Sequence, residues 1–321
     1  MTGSRLSVGI VVIGRNEGDR LKRCLASLPP ELPRAYVDSG SSDGSLEHAA
    51  AIGVNAIALD MSTPFTAARA RNAGWQALVA QGSCPAFIQF VDGDTELAPD
   101  WIAQAHTAML ADPGLAAVFG RLHERYPERS LYNRLCDEEW NVPVGEVNAC
   151  GGIAMIRTEA LRQAGGFSED LIAGEEPDLC LRMRAEGWRV RCIGHDMGWH
   201  DADIHTLKAW WRRTRRGGYA YAAHVLRHGR RSDPAWRRQV VSIAFWGAAW
   251  PLFCLVFAIL LTGLANPLFS FVPLIACVAS YLLLVTRVAR YRLASGTVPD
   301  TAWAYARLIV LGKPLPQLLE R

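Results

Sequence analysis

Up to His200 the chain alternates short, continuous apolar runs with stretches in which apolar positions recur every three or four residues. Residues 6–13 form a nearly unbroken β-branched run, which predicts a central parallel strand covered on both faces. The run ends at Gly14-Arg15-Asn16-Glu17-Gly18, and Asp19 is placed to cap a helix with Leu21, Cys24, Leu25 and Leu28 on one face. A second strand is predicted over 34–37, then a polar loop from Asp38 to Ser45 and a helix from Ser45. A short strand over 55–59 and a helix over 66–79 follow, the latter carrying Arg69, Arg71, Asn72 and Gly74. The next run, Phe87-Ile88-Gln89-Phe90-Val91, leads straight into Asp92-Gly93-Asp94, and a helix is expected over 99–110.

Further strands are predicted over 115–120 and 151–156, while the polar, aromatic segment 126–144 has no assignable period. Gly174-Glu175-Glu176-Pro177-Asp178-Leu179 reads as the start of a helix closed by Gly187, with Pro177 at its first position and acids around the positive helix end. Strand alternating with helix at this spacing predicts a doubly wound α/β sheet. Right-handed crossovers then bring Asp38, Asp43, Asp92, Asp94 and the Arg71 helix to one crevice.

Beyond residue 240 the pattern changes. Residues 241–264 hold no charge over 24 positions and 267–286 none over 20, each enough to span a hydrocarbon core. Only Ala265 and Asn266 separate them, which predicts a transmembrane hairpin. Arg237 and Arg238 precede it and Arg287, Arg290 and Arg292 follow, so the positive-inside rule puts both flanks in the cytoplasm. The expectation is therefore an inner-membrane protein with its catalytic domain facing the cytoplasm. A hydrophobic oligomerisation hairpin in a soluble protein is the alternative. Residues 303–311 are too short to span and belong either in the interface or on the domain. Four parts are expected: a catalytic domain over 1–205, a basic aromatic segment over 206–240, two transmembrane helices over 241–286 and a tail over 287–321.

Half of the composition is apolar, and the excess sits in that hairpin. A net charge of +3 is too small to make nucleic acid the main partner. From Lys208 to Arg238, however, ten Lys or Arg face one acid among Trp210, Trp211, Tyr219, Tyr221 and Trp236. A belt at the membrane surface is the reading preferred over nucleic-acid binding, because hydrocarbon-length sequence follows at once. Arg212, Arg213, Arg215 and Arg216 serve either that belt or a pyrophosphate. The eight cysteines show no C-x-x-C pair and no zinc spacing, and read as small buried hydrophobes in a reducing compartment. No signal peptide is expected ahead of the first strand.

Two carboxylates separated by Gly93 at the carboxyl end of a buried strand suit a hard divalent cation, which can hold a diphosphate. The Asp38–Ser45 loop is either a phosphate cradle or a plain turn, and its two aspartates favour contacts to sugar or base hydroxyl and N–H groups. With Arg15-Asn16-Glu17, Asp38 through Ser45, Ala70-Arg71-Asn72-Ala73-Gly74, Asp92-Gly93-Asp94, Gly165-Gly166-Phe167-Ser168-Glu169 and Gly174 through Leu179 in that order, the chain to about His200 resembles glycosyltransferase family 2, enzymes of the GT-A fold.

That resemblance implies a Rossmann-like mixed sheet and a nucleotide-sugar donor. Asn16, Glu17, Asp38, Asp43, Arg71 and Asp92 would bind the donor, with Asp94 the principal metal ligand beside Asp92. It implies Mn²⁺ or Mg²⁺ as cofactor and Glu176 as the base, with Glu175 or Asp178 as alternatives because Glu stands where the family usually has Asp. The Ile13-Gly14-Arg15 segment departs from the family's usual proline or threonine followed by tyrosine. His200 is either a further metal ligand or a structural residue beside Trp199. The expectation is an inverting, metal-dependent transferase acting on a lipid-linked or cell-envelope glycan acceptor, with no nucleic-acid partner. The rivals are a polyprenyl-phosphate glycosyltransferase and a catalytically silent membrane adaptor.

Overall fold

A computed structural model describes residues 7–264 and 267–312. Leu6 of the expected first strand, the Ala265–Asn266 turn and the tail past residue 312 lie outside the described residues. The chain forms two compact units: the part up to Pro127 together with Glu139–Asp203, and Glu128–Glu138 together with the chain from Ile204 onward. The expected catalytic domain thus cedes an internal segment to the second unit.

The first unit holds a mixed nine-stranded sheet. In chain order its elements are β1 (Val8–Gly14), α1 (Asp19–Ala26), β2 (Arg34–Asp38), α2 (Ser45–Ala51), β3 (Asn55–Ala58), α3 (Ala67–Leu78), β4 (Phe87–Asp92), β5 (Thr95–Leu97), α4 (Trp101–Ala111) and β6 (Leu115–Glu124). After α5 (Leu131–Glu139), most of which belongs to the second unit, come β7 (Gly145–Val147), β8 (Ala154–Arg157), α6 (Thr158–Gln163), α7 (Glu175–Ala185) and β9 (Arg189–His200).

The strand order is β3-β2-β1-β4-β8-β6-β9-β5, with β7 paired to β9. β1 through β4 are parallel, as their continuous apolar runs predict. β8 runs antiparallel between β4 and β6, so the sheet is mixed, as the family resemblance implied, rather than all-parallel. The reversal matters for chemistry. Because Ala154 of β8 pairs with Phe90, the loop preceding β8 arrives beside the carboxyl end of β4, where Asp92 stands.

Most predicted elements occur within a residue or two of their expected bounds. Asp19 is the first residue of α1 and not its cap, and it accepts a hydrogen bond from Lys22 instead. Helix α7 begins at Glu175, which puts Pro177 at the third helical position; its missing N–H is still among the unpaired first four. The unassigned segment contains α5 and β7. Helix α3 lies close on β1 and β2 through Gly74: a Cβ there would fall 2.4 Å from Val11 Cγ1.

In the second unit α8 (Leu207–His228) carries Arg212, Arg213, Arg215 and Arg216. It is followed by α9 (Pro234–Ala244), a π-helical turn (Phe245–Ala249), α10 (Trp250–Leu264), α11 (Phe271–Ala294) and α12 (Pro299–Leu311). Pro234–Gly263 is continuously helical over 30 residues and Leu268–Ala294 over 27, and both are long and apolar enough to cross a membrane. The expected boundaries at 241 and 286 do not mark breaks, since the first helix begins inside the basic segment and the second runs on to Ala294. Trp250 Nε1 donates to Ser280 Oγ at 2.8 Å and the Tyr281 hydroxyl donates to the Trp246 carbonyl, so α10 and α11 lie antiparallel side by side. Their other faces leave Leu252, Phe253, Ile259, Ile275, Leu282 and Leu283 exposed. Helix α12 buries Ala302, Ala306, Leu308 and Val310, and its Tyr305 ring lies 4.0 Å from the Arg292 guanidinium of α11. All eight cysteines are free thiols, and Cys84 is exposed, unlike the expectation for it.

Candidate active site

The carboxyl edge of β1, β2 and β4 brings the first three loops together. Asn16, in a left-handed conformation at φ 57°, accepts from Ser42 N at 2.8 Å and donates its own N–H to Ser41 Oγ at 2.8 Å. Asp43 accepts from Gly18 N at 2.9 Å and from Ser45 N at 3.1 Å. Two loops far apart in sequence are therefore latched to each other. Asp38 is 3% exposed, and its carboxylate accepts from the Tyr36 hydroxyl and from the N–H groups of Gly40 and Ser41. Both of its oxygens help to shape the loop. The exposed Arg15, where the sequence departs from the family pattern, lies over the Phe65 ring at 4.7 Å.

Arg71 in α3 is the centre of the acidic cluster. It is 3% exposed; its Nη2 lies 3.1 Å from Asp92 Oδ1, and its Nη1 lies 2.8 Å from Glu175 Oε1 and 3.0 Å from Glu176 Oε1. Burial disfavours the charged guanidinium, but Glu176, Asp92 and Glu175 outweigh it and hold its pKa above the usual range. Burial, and then Glu175, push Glu176 up to about 7 despite the opposing pull of Arg71. Asp178, an alternative base, faces elsewhere. It is fully buried and accepts from Ser168 Oγ at 2.7 Å and from Arg182 Nε at 3.0 Å, which makes it a strut between α7 and the 165–169 segment.

Two residues with no assigned role hold this cluster in place. Asn72 donates to the Phe167 carbonyl and to Glu169 Oε1, both at 2.9 Å, while its Oδ1 accepts from Phe167 N at 3.0 Å and Trp75 Nε1 at 3.1 Å. Gly166, at φ +75°, comes so close that a Cβ would meet Asn72 Oδ1 at 2.8 Å. Gly152 closes the far side: a Cβ there would meet Arg71 Nη2 at 2.3 Å, Glu176 Oε1 at 3.0 Å and Asp92 Oδ2 at 3.1 Å. The motif residues Asn72 and Gly166 carried the signal for the first contact, whereas nothing local marked Gly152.

Asp94 turns the other way. β5 pairs antiparallel with β9, Thr95 opposite His200, so His200 Nε2 sits 3.3 Å from Asp94 Oδ1. The His200 ring packs edge-on against Trp140 at 4.7 Å. Asp201 N donates to the Asp94 carbonyl at 3.1 Å, which adds a further acid to the neighbourhood. Burial, then Asp92, push Asp94 up to about 7, with Asp201 adding to the effect and Arg20 opposing it. Glu17 also rises to about 7, through burial and then Asp94, although Arg20 Nη2 lies 2.7 Å from its Oε2.

Asp92 and Asp94 thus divide, one toward Arg71 and one toward His200. Among the described residues no three His, Cys, Asp or Glu side chains form a ready-made metal cage. The donor chemistry nevertheless fits a hard divalent ion completed by a ligand's oxygens. Asp94 Oδ1 is buried and, among the described residues, makes no hydrogen bond, with His200 Nε2 at 3.3 Å; burial first, and then neighbouring carboxylates, push Glu17, Asp94 and Glu176 up to about 7.

Against known proteins, the profile of glycosyl transferase family group 2 matches residues 87–289, and that of glycosyl transferase family 2 matches residues 9–164. The pre-mycofactocin glycosyltransferases of two Mycobacterium tuberculosis strains are each 27% identical over 246 residues, 72% of this chain and 50% of theirs. The chain therefore spans about half the length of these curated relatives. Mannosyltransferase PcManGT from Pyrobaculum calidifontis, solved in complex with GDP-Man and Mn²⁺, is similar in fold at a TM-score of 0.55 and 19% identity, over 97% of this chain and 86% of that one. With its mixed sheet and its acidic loops at the carboxyl edge, the chain belongs to glycosyltransferase family 2 and has the GT-A fold.

Proposed function

We propose that the protein is a membrane-anchored, metal-dependent glycosyltransferase that moves a sugar, with inversion, from a nucleotide-diphosphate donor to a lipid-linked or cell-envelope glycan acceptor. The observation that carries this reading is the convergence of Asp92, Glu175 and Glu176 on one buried arginine, Arg71, on the sheet edge that also holds Asp94. The GDP-Man and Mn²⁺ bound by the mannosyltransferase of similar fold support the donor class and the cation.

In this reading Asn16, Glu17, Asp38 and Asp43 lie along the base and ribose of the nucleotide, on two loops that are latched to each other. Asp94, with Asp92 and His200, would hold Mn²⁺ or Mg²⁺, which when bound supplies Lewis acidity against the charge on a diphosphate leaving group. Glu176 takes the proton of the acceptor hydroxyl. A carboxyl pushed up to about 7 by burial is still ionised in good part at neutral pH and is basic enough to act. Arg71, which holds Glu175 and Glu176 alike, orients it. One base suffices for a single displacement, hence inversion. The exposed apolar faces of α10 and α11 support membrane insertion, and the arginines on both flanks support a cytoplasmic domain.

A polyprenyl phosphate is the second acceptor reading. It is favoured by the hold of Arg71 on Glu176, because a phosphate acceptor arrives already deprotonated. Purified full chain with radiolabelled nucleotide-sugars, Mn²⁺, and either a polyprenyl phosphate or a lipid-linked glycan separates the two. Product on the glycan that is lost in Glu176→Gln supports the base assignment. Product on polyprenyl phosphate at an unchanged rate in Glu176→Gln overturns it. Donor turnover that needs no divalent ion and survives Asp94→Asn overturns the metal reading, and no turnover under any condition leaves the adaptor reading. Pre-mycofactocin belongs in the acceptor panel because the curated relatives are named for it.

A further inference from the structure

Helix α9 and the π turn after it carry a groove of about 510 Å³ lined by Arg237, Arg238, Val241, Ser242, Phe245 and Trp246. These positions recur at the spacing of one helical face, and their chemistry is graded along it. Two guanidinium groups stand at one end, a hydroxyl in the middle and two aromatic rings at the other. The π turn at Phe245–Ala249 adds a residue to the helix where the rings leave it. Arg237 Nε is shut off from solvent and, among the described residues, makes no hydrogen bond. The side chains of Arg237 and Arg238 line the groove, where an anion would accept from their guanidinium N–H groups. Beyond Arg238 the same helix runs without charge to Gly263. The occupant that matches this gradient is anionic at one end and hydrocarbon at the other.

We propose that the groove binds an anionic phospholipid, its phosphodiester against Arg237 and Arg238 and the start of its acyl chains against Val241, Phe245 and Trp246. A free nucleotide would leave the apolar end uncovered, and a zwitterionic lipid would bring a cation to the arginines. The site goes beyond the transfer reaction and needs only that the helix lie in a bilayer, which resistance to alkaline carbonate extraction reads separately.

The test is native mass spectrometry of the detergent-purified full chain after titration with phosphatidylglycerol or phosphatidylcholine. Wild type is expected to retain phosphatidylglycerol about thirtyfold better, a size set by two arginines at about 1 kcal/mol each toward a lipid of net negative charge. The double variant Arg237→Gln with Arg238→Gln loses that preference, and Arg237→Lys with Arg238→Lys keeps it. Arg230→Gln with Arg231→Gln, which removes two exposed arginines nearby, leaves it unchanged. Equal loss in both glutamine pairs would show a diffuse basic belt and overturn the site. So would no preference in wild type, or selective retention of a polyprenyl monophosphate over phosphatidylglycerol.

Discussion

Arg71 Nη1 lies 3.0 Å from Glu176 Oε1 in a buried cluster where three carboxylates meet one guanidinium. Burial, and then the neighbouring Glu175, push Glu176 up to about 7 although a cation touches it, because the arginine neutralises only part of the charge around it. The site is built with an excess of negative charge.

Removing Arg71 should therefore be far more harmful than removing any one acid. Arg71→Ala leaves three neighbouring carboxylates without a counter-ion, and breaking a buried pair in this way costs about 3–5 kcal/mol. A thermal melt should show a large loss. Arg71→Lys should recover only part of it, because an ammonium has no fork to reach Asp92 and the two glutamates at once. A melt unchanged in Arg71→Ala would mean that the cluster is solvated.

Glu176→Gln should lower kcat by about 10² to 10⁴ with little change in donor KM, as expected when a general base is lost and donor contacts remain. The same variant should melt higher at pH 8, since it removes a carboxylate that burial disfavours. Steady-state kinetics and melts on one preparation check both halves.

Stability should depend on pH in a stated direction. The carboxyl of Glu176 has an ordinary pKa of 4.5 and a folded value of about 7, so the folded state holds a proton that the unfolded state releases. Its favourable contribution is complete below about 4.5 and is lost as pH rises through about 7. Melts of metal-free protein should fall between pH 5 and pH 8, and Glu176→Gln should flatten that slope. A slope of opposite sign would contradict the burial of Glu176.

Mn²⁺ should raise the melting temperature of wild type at pH 8, most of all with a nucleoside diphosphate present, and Asp94→Asn should abolish the shift. His200→Ala should weaken the shift if its ring completes the donor set, and leave it intact if the ring serves only to position Asp94. Isothermal titration with Mn²⁺ distinguishes loss of binding from loss of fold.

Gly152→Ala is the most specific steric test. The added methyl would sit 2.3 Å from Arg71 Nη2, so the guanidinium must shift away from Asp92 and Glu176. A penalty of about 1–3 kcal/mol is expected, as for overpacking of a close-packed site. Activity should fall more than stability does. Gly151→Ala, with open space around its Cβ, is the control and should change neither.

How much of this was legible beforehand differs by element. The parallel half of the sheet declared itself because β1, β2 and β4 are largely buried on both faces and read as mostly apolar runs ending at Gly14, Asp38 and Asp92. β5 and β7 have three residues each, too few for a period, and β9 mixes Gly194, His195, Asp196 and Gly198 into its course, so neither pattern nor composition marks them. With β9 hidden, the pairing that sets His200 opposite Thr95 could not be read, although His200 stood among the expected metal ligands with Asp94. The division of Asp92 and Asp94 between two partners was equally hidden, since adjacent sequence positions say nothing about which distant side chain each will face.

By itself the sequence determined the alternating elements, the acids and glycines that gather on one rim, and two helices of hydrocarbon length, because each follows from local periodicity and residue chemistry. Tertiary structure alone decided that Asp38 and Asp178 are engaged internally, that Asn72 and Gly152 shape the site, and that one arginine holds three carboxylates. The approach of Gly152 to Arg71 and of His200 to Asp94 depends on which segments β8 and β9 bring alongside β4 and β5. Pairing between strands distant in sequence is a property of the whole sheet, and no window of residues contains it.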